Sequence, residues 1–296
     1  MSLLQHDNYT TSAALNAPYT FCKLFASATS LVDAHSLELP ATSLANYCYS
    51  NMFNGCSSLA MPPNMLPADS MKTHCYEYMF SRCTSLKQAP ILPASTMASY
   101  CYYNMFLKCT SLTAAPDVPA MNLASNCYEH MFSGCTSIVS PPVLPATKLE
   151  QSCYARMFYE CTSLSSAPRL PVTSLQSYCY YQMFYKCQSL VEMPMLPAQK
   201  LRSYCYFGMF TNCSSLTACH GLLATELCSN CYSNMFNGCK SLSSITTLQN
   251  SFDNCTNWTY NVALSGTFIC ESYLGTNETI ARGNSACPNN WAVVNI

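Results

Sequence analysis

Apolar residues recur along this chain in a regular arrangement with a period of about 26 residues. Each unit reads Cys-Tyr-x-x-Met-Phe-x-x-Cys-x-Ser-Leu and continues, with small variations, into Pro-x-Leu-Pro-Ala. The first cysteine of the unit stands at Cys48, Cys75, Cys101, Cys127, Cys153, Cys179, Cys205 and Cys231, and a second cysteine follows each one by eight residues. A weaker copy begins at Thr20, and the pattern decays after Cys239. Self-similarity at such a period is typical of solenoid proteins.

Two segments of the unit carry different patterns. Leu44, Cys48, Met52 and Cys56 recur every four residues, which predicts the apolar stripe of a short, irregular helix. The segment SLKQAPILP predicts a short extended stretch, and its Pro90 cannot donate to a strand ladder, so the sheet should be narrow. A strand, a turn and a short helix in every unit follow the leucine-rich-repeat plan.

We therefore predict an α/β repeat solenoid, a leucine-rich-repeat-like stack of about nine repeats. It should have a narrow parallel sheet, short helical convex segments and a small β-rich C-terminal cap. The predicted solenoid covers residues 19–257 and follows an N-terminal arm of residues 1–18. Residues 258–296 leave the period and contain both tryptophans, so they form the predicted capping segment. A cap is needed because the end of a stack would otherwise expose its core.

The composition excludes several partners. Only 9% of the 296 residues are charged and the formal net charge is -1, so we expect neither a nucleic-acid ligand nor a polybasic membrane anchor. No run of 18 apolar residues is present, so we expect no membrane span. The first 20 residues have no basic and no long apolar stretch of the kind a signal peptide needs. If Met1 is the natural start, the chain is expected to be made and kept in a cytosol.

The cysteines predict buried thiols rather than a metal or disulfide site. On a helix, positions i and i+8 lie about 12 Å apart, which exceeds disulfide reach. A disulfide stays open among the cysteines outside the two ladders, which are Cys219, Cys228, Cys255, Cys270 and Cys287. The five histidines show no ligand or triad spacing. We therefore predict no catalytic residue, no cofactor and no metal site, and hence a protein that is not an enzyme.

Two sets of residues are candidates for binding. One set follows the repeated Leu or Pro of the extended segment and varies between repeats while its surroundings stay constant. These possible ligand-facing residues are Lys87, Gln88, Ile91, Asp117, Val143, Arg169, Glu192 and Met195. The other set is a possible aromatic strip of Tyr76, Tyr102, Tyr128, Tyr154, Tyr180 and Tyr206, which occupy one position of the repeat. Its rings either bind carbohydrate or protein, or pack on each other with their hydroxyls at the convex edge.

The segments MFNGCSSL, MFSGCTSI and MFNGCKSL, each before a proline-rich turn, resemble the BspA-like leucine-rich repeats. The resemblance covers roughly Thr20 to Asn261 and implies a leucine-rich-repeat fold with a parallel sheet. Family members with an export signal are surface adhesins. Similar repeats that close on a GTF…W-x-V segment are found in phages of gut Bacteroidetes, and here the closing residues are Gly266 to Phe268 and Trp291 to Val293. The family implies no catalytic residues.

The resemblance and the missing export signal together favour a phage virion protein. It would be a tail-fibre, receptor-binding or capsid-decoration component, located in the virion and assembled in the host cytoplasm. Its expected partners are other virion proteins or further copies of itself, and a glycan or protein of the host surface. The alternative is a BspA-like adhesin of the bacterial cell surface that lacks its leader here, and a third, weaker alternative is an intracellular scaffold.

Overall fold

Consecutive repeats pair in parallel along one side of the molecule. In the computed structural model, which describes residues 14–249, 252–270 and 281–295, four strands form one sheet in the order β1-β2-β3-β4. They are β1 (Ala218–Leu222), β2 (Ser244–Thr247), β3 (Thr267–Cys270) and β4 (Ala292–Asn295). All three pairings are parallel, as predicted.

Upstream of β1 the pairing is reduced to isolated parallel bridges. Met65 pairs with Ile91, and Glu192 pairs with Ala218. Proline stands in the extended segment of these repeats, as Pro90 does, and it has no N–H to donate. The rungs in this part of the chain are therefore narrow.

The segment from the first to the second cysteine of each repeat is a ribbon of overlapping turns, which we call the turn ribbon. The amide of Met52 donates to the carbonyl oxygen of Tyr49 at 3.2 Å, three residues back. The next amide, that of Phe53, donates instead to the carbonyl oxygen of Met79 in the following repeat at 2.9 Å. The two kinds of bond alternate, so every second amide joins neighbouring repeats. No helix occurs in the described part of the chain, and the predicted helical convex segments are wrong.

The backbone angles explain why no helix forms. Every fourth residue of the ribbon has a positive φ, 57° at Asn51 and 77° at Gly55, and a right-handed helix admits no such angle. Asparagine and glycine tolerate this left-handed region better than other residues do. Because two turns advance the chain by four residues, the four-residue spacing of the apolar stripe reflects pairs of turns.

The apolar stripe nevertheless faces the core, as predicted. Cys48, Met52, Phe53 and Cys56 are fully buried, and so are their equivalents in the repeats from Cys75 to Cys239. The phenylalanine rings of consecutive repeats stack with their centroids 5.3 to 5.9 Å apart. Each repeat thus buries its apolar face against its neighbours, which is how a solenoid is stabilised.

All 22 cysteines are free thiols. In the second ladder each thiol donates to the carbonyl oxygen of a phenylalanine in the preceding repeat, as Cys83 does to Phe53 at 3.1 Å. Burial raises the pKa of these thiols above the ordinary value, to about 12 for Cys135. The cysteines of both ladders are buried, as predicted, and the structure contains no disulfide among the 22 cysteines. That the ladders are reduced in solution stays a prediction.

The C-terminal stretch adds rungs to the same ladder. Strands β3 and β4 pair in parallel after β2, while Trp258 is fully buried and its indole N–H donates to the carbonyl oxygen of Ala286 at 3.0 Å. The stretch contributes two strands, but whether it forms a β-rich cap stays a prediction. The number of repeats and the three segment boundaries also stay predictions.

Pairing starts within the segment that we predicted to be an N-terminal arm. Ala14 bridges to Ser43, and the amide of Leu15 donates to the carbonyl oxygen of Ser43 at 2.8 Å. Residues 1–13 of the predicted arm lie outside the described residues, as do residues 250 and 251 of the predicted solenoid and residues 271–280 and 296 of the predicted cap. No helix that could cross a membrane is found in the described ranges of the chain.

Candidate functional site

A row of exposed side chains follows the proline of each extended segment. Ile91 is 63% exposed, Val143 is 76% exposed and Met195 is 78% exposed, and Asp117 and Arg169 hold the same position in the repeats between them. The residue after each of these five is a buried Leu or Val. The alternation arises because successive side chains of an extended segment point to opposite faces.

The remaining predicted ligand-facing residues lie exposed three or four positions earlier in the same segments. Lys87 and Gln88 are exposed, and the side-chain amide of Gln88 lies 3.9 Å from the sulfur of Met61 in the preceding repeat. Glu192 lines a shallow groove of about 220 Å³ with residues of two consecutive repeats. The structure thus exposes all eight predicted residues, which we call the strand-side surface: Lys87, Gln88, Ile91, Asp117, Val143, Arg169, Glu192 and Met195.

Apolar side chains are unusually frequent on this surface. Besides Ile91, Val143 and Met195, Val139 and Val191 are 53% and 46% exposed in the neighbouring row. Single exposed apolar residues are common on protein surfaces, whereas large contiguous apolar patches mark interaction sites. Asp117 and Arg169 interrupt the apolar row with opposite charges and can orient a partner.

The possible aromatic strip is not at the surface, so the alternative that its rings bind a ligand is wrong and the alternative that they pack on each other holds. Its six tyrosines are at most 2% exposed, and their rings stack with centroids 5.8 to 6.0 Å apart. They cannot contact a ligand, because the tyrosine follows the first cysteine at a point where both side chains enter the core. The expectation that the hydroxyls reach an edge is also wrong for Tyr102 and Tyr128, whose buried hydroxyls have no hydrogen-bond partner among the described residues. Burial raises the pKa of Tyr128 well above its ordinary value.

A different group of aromatic residues lies half-exposed on the turn ribbon and was missed from the sequence. The rings of Tyr159 and Tyr185 stack at 4.5 Å, and those of Tyr181 and Phe207 stack at 5.2 Å. The guanidinium carbon of Arg156 lies 4.8 Å from the centroid of the Tyr181 ring. The signal was a second aromatic residue after the repeated one, in Cys-Tyr-Tyr, Cys-Tyr-Phe and Met-Phe-Tyr.

The titratable groups give little support for catalysis. Burial lowers the pKa of His130 to about 4, helped by the charge of Arg156, and burial raises the pKa of the ladder thiols. A thiol with a raised pKa is a poor nucleophile because the reactive species is the thiolate. Within the described ranges, no three His, Cys, Asp or Glu side chains are grouped so that they could hold a metal ion. That the protein is not an enzyme stays a prediction.

Comparison with known families decides what kind of repeat this is. The model of the BspA type leucine rich repeat region matches residues 22–139 and 125–265, in six copies. The chain belongs to the BspA-type leucine-rich-repeat family. Together the two matched ranges span most of the chain, so the resemblance seen in the MFNGC-type segments is confirmed.

Two solved structures are similar to this BspA-type protein. A leucine-rich repeat protein from Bacteroides ovatus is 20% identical with a TM-score of 0.49, over 89% of this chain and 66% of that chain. A leucine rich cell surface protein from Faecalibacterium prausnitzii is 14% identical with a TM-score of 0.39, over 76% of this chain and 68% of that one. The BspA-type chain thus spans about two thirds of the length of each. No characterised protein matches its sequence.

Proposed function

We propose that this BspA-type protein is a non-catalytic binding protein and that its strand-side surface holds a protein partner. The observation that carries the proposal is the row of Ile91, Val143 and Met195, which stays exposed while the next residue of each repeat is buried. Exposing these apolar groups to water costs free energy that a partner would recover by covering them.

The repeat frame suits such a role because it holds the row in place before the partner arrives. Each turn ribbon is bonded to the next repeat by every second amide, and the core beneath it is fully buried. Side chains on such a frame lose little conformational freedom on binding, so more of the contact energy contributes to affinity.

We further propose that the setting is a phage virion, in a tail-fibre, receptor-binding or capsid-decoration component. The closing motif supports this proposal. Thr267 pairs with Ala292 and Phe268 with Val293, so the two halves of the GTF…W-x-V motif lie side by side in β3 and β4. A Cβ placed on Gly266 would come within 2.8 Å of the Trp291 ring, so the ring can lie this close to the backbone because residue 266 is glycine. The residues of the closing motif, which resemble those of the phage repeats, therefore lie next to each other in the structure.

Competition for adsorption tests the binding role. Purified protein added to host cells should reduce adsorption of the phage that carries it, and the triple variant Ile91→Asp, Val143→Asp, Met195→Asp should not. A matched control, Gln151→Asp, Gln176→Asp, Gln199→Asp, makes the same change of net charge at three exposed residues outside the row and should compete like the unaltered protein. If the row variant competes as well as the unaltered protein, the strand-side surface is not the binding surface.

Mass spectrometry of purified particles tests the setting separately. Peptides of the chain should be found in washed phage particles at a constant ratio to the major capsid protein. Recovery from the surface fraction of uninfected bacterial cells, and absence from particles, would instead support the adhesin alternative.

A further inference from the structure

Arg156 carries a positive charge that is held in no ion pair among the described residues, although this charge acts on the nearby Glu129 carboxyl group. Its Nε donates to Gln182 Oε1 at 2.9 Å, its Nη1 lies 3.4 Å from His130 Nε2, and its guanidinium group lies over the Tyr181 ring. None of the ion pairs in the described ranges includes it. A half-buried arginine held by neutral partners keeps N–H groups and charge available for an anion.

His130 contacts the guanidinium group of Arg156 and adds no charge of its own at neutral pH. Burial and the neighbouring Arg156 lower the pKa of His130 to about 4, so the imidazole is neutral at neutral pH. In that state Nε2 can accept from Arg156, which puts the ring proton on Nδ1. This Nδ1 is buried and has no partner among the described residues.

The surroundings of Arg156 are slightly positive. A Cβ on Gly134 would lie 3.0 Å from Lys108 Cγ, so the Lys108 side chain extends over the repeat that contains His130. Lys186 pairs with Glu160 at 2.8 Å, and Glu129 accepts a hydrogen bond from Asn126. Burial raises the pKa of the Glu129 carboxyl group, and the nearby charge of Arg156 lowers it. Lys108, Arg156 and Lys186 thus carry three positive charges against two carboxyl groups, those of Glu129 and Glu160.

Aromatic rings flank the charge on both sides along the repeat axis. Tyr159 lies between His130 at 6.2 Å and Tyr185 at 4.5 Å, measured between ring centroids. Tyr181 lies under Arg156 and stacks on Phe207. Rigid phenol groups offer apolar surface and a hydroxyl at once, which suits the mixed surface of a sugar.

We propose that this cluster, the Arg156 patch, binds the acidic sugars of a polysaccharide, with Arg156 holding their carboxylate or sulfate groups. The patch consists of Lys108, His130, Arg156, Tyr159, Tyr181 and Tyr185. Arginine matches the planar geometry of such anions with two parallel hydrogen bonds. The patch lies on the turn ribbon, apart from the strand-side residues, so the proposal does not depend on the protein partner. A long nucleic acid fits less well because only 9% of the residues are charged and the formal net charge is -1.

Equilibrium binding to four polymers at low salt tests the proposal. The probes are polygalacturonate for carboxylate, dextran sulfate for sulfate, neutral dextran and single-stranded DNA. We expect binding to at least one of the acidic polysaccharides, no binding to dextran, and weaker binding to DNA. Arg156→Gln should lower the affinity about tenfold, which corresponds to losing a charged hydrogen-bonding group. The matched control Arg169→Gln, on the strand-side surface, should change it by less than about twofold.

Three results would overturn the proposal: no binding to either acidic polysaccharide, DNA binding as tight as theirs, or an equal loss in Arg156→Gln and Arg169→Gln. Thermal unfolding shows whether Arg156→Gln is folded. If it is not, Lys108→Gln takes its place, because Lys108 is exposed and its replacement leaves the core unchanged. An affinity unaltered by that substitution then counts against the patch.

Discussion

The thiol of Cys135 donates a hydrogen bond of 3.0 Å to the carbonyl oxygen of Phe106 in the preceding repeat. The amide of Cys109 donates to the same oxygen at 3.1 Å, so one carbonyl group joins two consecutive repeats. The arrangement recurs along the second cysteine ladder. A group at this position must be small and apolar enough for the core and still able to donate, and cysteine meets both needs without a disulfide.

The first prediction concerns the oxidation state of the ladders. Alkylation of protein unfolded without reductant should modify at least the sixteen ladder cysteines, since all of them are free thiols. In the folded protein the same thiols should react slowly because they are buried. Mass spectrometry after alkylation gives the count. Protection of many thiols in the unfolded chain, reversed by a reductant, would contradict the account.

A second prediction follows from the raised pKa of the thiols. Burial raises the pKa of Cys101, Cys135 and Cys153 from about 9 to about 12, so between these values the folded state keeps protons that the unfolded chain releases. The free energy of unfolding should therefore fall as the pH rises from about 9 to about 12 and be insensitive to the thiols below pH 8. Urea unfolding at several pH values measures it. A stability that stays constant up to pH 11 would show that the thiols are not buried.

A third prediction distinguishes the turn ribbon from a helix. Gly134 has a φ of 73°, and a Cβ there would press on Lys108 at 3.0 Å, so Gly134→Ala should destabilise the protein by about 1–2 kcal/mol. In a helix the same change would stabilise by about 1 kcal/mol. As a control, Lys186→Gly at the equivalent position, with a φ of 57°, should cost little or stabilise. Denaturant unfolding gives the sign, and stabilisation by Gly134→Ala would support a helix.

A fourth prediction concerns the apolar stripe, which faces the core. Met131 is fully buried, and Met131→Asp should cost several kcal/mol because it places a carboxylate in the core without a partner. The identical change at Met195, which is 78% exposed, should leave stability nearly unaltered. The two thermal midpoints make the comparison. An unchanged midpoint for Met131→Asp would mean that the stripe does not face the core.

A fifth prediction concerns the C-terminal stretch. Trp258 is fully buried, with its ring centroid 6.2 Å from Tyr232 and 6.1 Å from Phe236, so deleting residues 258–296 should expose both rings and cause aggregation. Size-exclusion chromatography measures the soluble fraction. A variant that lacks only residue 296 serves as the control and should remain soluble. A monomeric, soluble product of the longer deletion would show that the last repeat needs no cover.

The buried face of the repeat could be predicted from the sequence, but its backbone could not. Met52 and Cys56 were placed in the core because apolar residues four apart share a side in a helix and in paired turns alike. Over nine residues a spacing of 4.0 cannot be separated from the helical 3.6. Asn51 and Gly55 gave a signal for turns, because asparagine and glycine both tolerate a positive φ. This signal was not sufficient, because the turn ribbon also depends on hydrogen bonds to the next repeat.

The two proposed binding surfaces also differ in how far the sequence could predict them. The exposure of Ile91 and Met195 followed from strand alternation, a local property of the chain. The Arg156 patch rests on contacts between residues 26 apart, such as Arg156 with Gln182, at positions where each repeat differs. Periodicity describes what the repeats share, so it could not reveal a site formed by their differences.

A structure of the natural assembly tests the central claim most directly, namely that the strand-side surface is where a protein partner binds. Cryo-electron microscopy of the intact particle, or of the complex isolated from it, would show which side chains the partner covers. The account predicts that Ile91, Val143 and Met195 are buried against the partner. A partner seated elsewhere, with these three side chains still open to solvent, would contradict it.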